Sequence, residues 1–231
     1  MKRLAVLAAL VWVGSAAAVT PTTVLPKPAF PAPATGAGSN TVHFQILSST
    51  PIDPAQLVTA PKPRGLRIDG EDGTTRHYVF GRNYTFDFRK YAWAPRTAAG
   101  EREFTYQQVV WARETDFGVL FVETAHSTYA KSSYGRNGYL NAIDLKTKQL
   151  RWRSPAQVAN ALDFVMLNET IVTGYGFTAE PDYLYAIDIK TGKVRGRLLL
   201  PSAPETIARH LHNMLTVTTY DHRLIIRVVE H

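Results

Sequence analysis

Tyr139-Leu-Asn-Ala-Ile-Asp-Leu-Lys-Thr-Lys-Gln-Leu-Arg151 returns 44 residues later as Tyr183-Leu-Tyr-Ala-Ile-Asp-Ile-Lys-Thr-Gly-Lys-Val-Arg195, without a gap and with eight of thirteen positions identical. In the first copy Leu140, Ala142 and Asp144 share one face of a strand, and Ile143 and Leu145 share the other. A small Ala at Ala142 and Ala186 lets a neighbouring layer approach closely. Asp144 and Asp188 end the strands and accept hydrogen bonds from the turn that follows. Gly192 supplies a positive φ in the second turn, where the first copy has Lys148. A second strand then leaves each turn, at 149–153 and at 193–199. Units of this length built from short strands are the mark of propeller blades.

The same signals continue outward. Strand patterns occupy 66–68, 77–80, 84–88, 104–112, 118–124, 139–145, 170–174, 183–189, 215–220 and 223–229. Asp72-Gly73, Asn137-Gly138 and Thr191-Gly192 punctuate them. The best helix candidate, 156–167, has its face interrupted by Asn160 and Asp163. The chain is therefore expected to be all-β.

The twin segments resemble the PQQ-like (quinoprotein-like) repeat, whose pattern runs G-x-L-x-A-x-D-x-x-T-G-x-x-x-W. Gly138, Leu140, Ala142, Asp144, Thr147 and Trp152 match in the first copy. Leu184, Ala186, Asp188, Thr191 and Gly192 match in the second, with Gly196 in place of Trp. The resemblance implies a small or incomplete β-propeller of about four blades over 64–231. The degenerate third unit carries 214–220 and 223–229, and a fourth falls near 64–103. Quinone-dependent dehydrogenases share this resemblance, but their acidic base and vicinal cysteines have no matched positions here. The resemblance thus implies no cofactor and no catalytic residue, and favours a binding or scaffold role over a quinone- or metal-dependent enzyme.

Residues 1–18 read as a signal peptide. Lys2 and Arg3 precede the apolar run 4–13, and Ala16-x-Ala18 fits a cleavage site. The expected location is periplasmic or secreted, with no transmembrane segment in the mature chain. Residues 19–63 form a Pro-rich linker, with Pro21, Pro26, Pro28, Pro31 and Pro33 in its first part. Such composition is expected to stay extended and solvated. Within it, 41–49 alternates as an orphan strand with no local partner. It is expected to complete the last unit by pairing beside 223–229, the rival place being beside the first unit.

The formal charge of +7 includes the two charges of the signal, and the remaining basic residues are scattered. No nucleic-acid footprint follows. The absence of cysteine removes disulfides and thiol chemistry. His210 and His212 would share a strand face, with His222 near, but surface polarity explains them without a metal. Asp69, Glu71 and Asp72 lack the distal Glu of a calcium loop and read as a hairpin turn.

The loops 126–137 and 175–182 carry the binding candidates: Tyr129, Lys131, Tyr134, Arg136, Tyr175 and Phe177. Flat aromatic rings beside cations suit contacts to a protein or to a cell-envelope polymer. Equivalent loops of neighbouring blades share one rim. A homodimer that completes an unclosed propeller is a further expectation.

Overall fold

The computed structural model describes residues 29–33, 41–54, 65–69, 75–79, 82–83 and 108–230, the last without 126–128, 132, 134, 148, 162 and 178. Residues 1–18, expected to be a signal peptide, and Tyr134, Lys148, Glu71 and Asp72 lie outside the described residues. Among the described residues there is no α-helix. Fifteen strands form four antiparallel sheets, three of them four-stranded. The chain is an all-β protein of small or incomplete propeller type.

β1 (Val42–Pro51) comes first, then β2 (Gly65–Asp69), β3 (Thr75–Val79) and β4 (Arg82–Asn83), which form a three-stranded sheet of their own. β5 (Gln108–Glu114), β6 (Val119–Ala125), β7 (Tyr139–Asp144) and β8 (Leu150–Arg153) form the next sheet as a simple meander. β9 (Val165–Leu167), β10 (Thr170–Tyr175), β11 (Tyr183–Asp188) and β12 (Val194–Leu199) repeat it. β13 (Pro204–Leu211), β14 (Met214–Thr219) and β15 (His222–Glu230) begin the last sheet. Residues 156–161, the start of the helix candidate, are bends and irregular chain.

The twin segments adopt one geometry. Asp144 Oδ1 accepts the backbone N–H of Lys146 at 2.9 Å and of Thr147 at 2.8 Å. Asp188 Oδ1 accepts those of Lys190 at 3.0 Å and Thr191 at 2.8 Å. Gly192 has φ +71°. On the partner strand, Trp152 stands opposite Ala142 and Gly196 stands opposite Ala186, the same place in both sheets.

The β9–β12 sheet is buried on both faces. Ile171, Tyr185 and Ile187 pack toward Phe121, Leu140 and Ala142 of the preceding sheet. Val172, Leu184 and Ala186 pack toward Leu215, Val217, Leu224 and Ile226 of the last. This explains near-continuous burial where a one-sided strand would alternate. Trp152 bridges the first of these interfaces. Its Nε1 donates to the Ile189 carbonyl at 3.1 Å, and its ring covers Gly192, where a Cβ would stand 2.8 Å from Cδ2. The turn therefore needs glycine twice, for its φ and for the indole above it.

The expected pairing of the orphan strand is present. β1 runs antiparallel to β15 from Val42 opposite Glu230 to Pro51 opposite His222, with a bulge between Ile46 and Ser48. The last sheet has the order β1-β15-β14-β13, and its outer strand comes from residues far earlier in the chain. Val42 is buried in the same core as Leu224, Ile226 and Val228.

The Pro-rich stretch differs from the solvated chain its composition suggests. Residues 29–33 lie against the β9–β12 sheet, with the Phe30 ring 5.5 Å from Tyr183 and 6.1 Å from Tyr175, centroid to centroid. One large apolar ring finds a preformed aromatic wall, which offsets the ordering of its neighbours.

Candidate functional site

The loops after β6 and after β10 meet on one rim. In the first, Ser133 donates its hydroxyl to the carbonyls of Tyr129 at 3.0 Å and Ala130 at 3.2 Å. Gly135 N–H closes onto the Ala130 carbonyl at 2.7 Å. In the second, Asn160 clamps Gly176 reciprocally, its amide oxygen accepting the Gly176 N–H and its amide nitrogen donating to the Gly176 carbonyl, both at 3.0 Å. The first loop is thus braced by its own residues, and the second by Asn160 of the β8–β9 connection.

Glu180 joins them. Its carboxylate accepts the Ala130 N–H of the other loop at 2.9 and 3.2 Å, and the Tyr175 hydroxyl at 3.1 Å. Burial pushes the Glu180 carboxyl up against the pull of these donors. Above this anchor the Tyr129 and Phe177 rings meet edge to face at 5.7 Å, and Phe177 meets Tyr175 at 5.8 Å. Rings 129, 177, 175, 30 and 183 form one continuous aromatic line.

The sequence-derived candidates divide. Tyr129 is 40% exposed, Lys131 is exposed, and Phe177 and Arg136 are half-buried. Tyr175 is fully buried, with the Phe30 ring against it, and adds no surface to the rim patch. It ends β10 in phase with Ile171 and Thr173, and strand alternation turns it inward. Tyr175 supports the patch from below. Two further residues, Glu180 and Phe30, complete it. Neither stands out in sequence, because a single acid in a loop and a single ring in a Pro-rich stretch carry no spacing signal.

The histidines do not converge as strand alternation suggested. His210 lies on β13, but His212 sits in the following turn with φ +40°. His222 Nδ1 lies 2.6 Å from Asp221 Oδ1. Among the described residues no three His, Cys, Asp or Glu side chains group as metal ligands.

One carboxyl is wholly internal. Glu123 on β6 is buried between sheets, accepts the Thr173 hydroxyl, and leaves Oε2 without a partner among the described residues. Burial raises its pKa strongly, the nearby Asp163 adds to this, and the Thr173 bond opposes it. A separate surface recess of about 360 Å³, between Phe117, Trp152 and Ile189, is mostly apolar, with Arg151 and Lys190 at its edge.

No family model matches the chain, and no curated protein matches it. Among solved structures it is similar to BamB from Moraxella catarrhalis, at 16% identity and a TM-score of 0.35, over 76% of this chain and 45% of that one. It is also similar to the quinohemoprotein alcohol dehydrogenase ADHIIG from Pseudomonas putida HK5, at 15% identity and a TM-score of 0.40, over 76% of this chain and 30% of that one. The chain spans less than half the length of either.

Proposed function

We propose that the chain is an exported interaction or scaffold module built of PQQ-like repeats, which binds a protein or a cell-envelope polymer through the joined rim loops. The observation that carries this reading is the Tyr129–Phe177 edge-to-face pair held over the Glu180 anchor. Two loops from separate sheets are fixed to one another, and their outer surface is aromatic with Lys131 beside it. A rigid aromatic patch loses little entropy on binding and is the commonest form of an energetic hot spot.

A photo-crosslinking residue at Lys131 in the full chain, produced in its native envelope, is expected to capture a discrete partner. Tyr129→Ala together with Phe177→Ala should lower recovery at least about tenfold, which equals ~1.4 kcal/mol of binding. Recovery unchanged in that double variant, with folding intact by circular dichroism, sinks the reading.

A further inference from the structure

The second copy of the repeat differs from the first in how its outer-strand arginine is used. In both, an arginine of the outer strand covers the first tyrosine of the preceding strand: Arg153 over Tyr139 at 5.2 Å, and Arg197 over Tyr183 at 5.1 Å. Their polar partners differ. Arg153 Nε donates to Asn141 Oδ1 at 2.6 Å, within its own sheet. The position of Asn141 is taken in the second copy by Tyr185, whose buried hydroxyl has no partner among the described residues. Deprived of that acceptor, Arg197 reaches outward, and its Nη1 donates to the main-chain carbonyls of Phe30 at 3.1 Å and Pro31 at 3.0 Å.

Those two carbonyls belong to an extended segment, 29–33, whose Phe30 ring rests between Tyr175 and Tyr183. Ala29 and Ala32 are exposed, so the contacts that stand out are one ring and two adjacent carbonyls. Proline before or after an aromatic residue holds a peptide in the polyproline form, with carbonyls free and little entropy left to lose. An aromatic wall beside a fixed donor is how such peptides are recognised elsewhere. We propose that Tyr175, Tyr183 and Arg197 form a binding site for extended aromatic–proline peptides, occupied in cis by Phe30-Pro31 and open to exchange with the same motif from another chain. The site adjoins the rim patch but uses neither Tyr129 nor Lys131, so the two readings can fail separately.

The test uses full-length protein and a synthetic peptide with the sequence of residues 26–34. The cis segment acts at an effective concentration of ~1 mM, so it competes strongly with added peptide. Phe30→Ala vacates the ring site and is expected to bind the peptide at least tenfold more tightly than the wild type by calorimetry. Adding Arg197→Ala should remove that gain, as should replacing the peptide's phenylalanine by alanine. Equal binding to wild type and Phe30→Ala, no binding to Phe30→Ala, or indifference to Arg197→Ala overturns the proposal. Should Phe30→Ala not fold, a ring-fluorinated peptide in excess over wild type gives the second reading: saturable broadening of its fluorine signal supports the site, and an unchanged signal refutes it. Loss of photo-crosslinking at Lys131 with peptide binding intact would count against the rim reading alone.

Discussion

Gly196 faces the carbonyl oxygen of Val42 so closely that a Cβ at 196 would collide with it. One sheet earlier the equivalent position is Trp152, lying over Gly192. The two contacts are alternatives to one another. Where the next sheet offers a turn, an indole covers it. Where the next sheet instead begins its outer strand with Val42, the side chain must vanish. Gly196→Ala is therefore expected to push β1 off the β9–β12 sheet at a cost of about 1–3 kcal/mol. Hydrogen exchange of the β1 and β15 amides should accelerate before the rest of the core, and uniform protection would show that β1 does not depend on this approach.

Trp152→Ala removes both the bond to the Ile189 carbonyl and the cover of Gly192. The expected loss is ~3 kcal/mol by urea denaturation, in the range for truncating a large core aromatic. A loss below ~1 kcal/mol would mean that the rest of the shared core, with Phe121, Ile171 and Ile187 in it, holds the two sheets together without the indole.

Loop coupling is tested at Glu180. Glu180→Ala leaves the buried Ala130 N–H without its acceptor and takes one partner from the Tyr175 hydroxyl, which keeps Asn137, at about 1–3 kcal/mol. The penalty should be local: faster exchange at 130–136 with the midpoint of global melting lowered by only a few degrees. Unaltered exchange in that loop would show that the two loops stand independently.

Acidity should act through Asp163. Burial lifts this carboxyl to about 6, although it accepts the Ile207 N–H at 2.6 Å. Its unfolded value is near 4. The folded chain holds the proton more tightly, so the contribution to stability is fully present below about pH 4 and is lost as pH rises through 6. Asp182, also raised to about 6 mainly by burial, acts in the same direction. Asp144 acts oppositely: the Thr147 N–H and Arg151 hold it low, so its contribution is present at neutral pH and is lost progressively as pH falls below its unfolded value near 4. Asp163→Asn should flatten the fall in stability between pH 4 and 6 by on the order of 2 kcal/mol. Denaturation midpoints with the same pH slope as the wild type would contradict this assignment.

Much of the architecture was legible because its signals are local. The turns at Asp144 and Asp188 depend on an acid and the next three residues, and the strand patterns depend on alternation. Even the long-range pairing of β1 could be argued, since a strand between two Pro-rich stretches must find its partner elsewhere. β13 was not legible: Pro204, Glu205, Arg209 and His210 break the apolar alternation, and most of its side chains lie partly or fully in solvent. Phe30 was hidden for another reason. Its ordering is set by Tyr175 and Tyr183, which are remote in sequence, and composition averages one anchored ring into a disordered-looking background. Tyr175 itself was misplaced in a loop, although its two-residue phase with Ile171 already turned it inward.

Joining residue 42 to residue 230 also fixes when the protein can finish folding. The middle sheets are built from neighbouring hairpins and can form as their own segments become available. The sheet that joins β1 to β15 closes across about 190 residues, so its closing step bears the largest loop entropy and should be the slowest. Until then β15 presents a bare edge able to recruit any stray strand. Docking of β1 ends that exposed interval, so whatever brings β1 to β15 early shortens it.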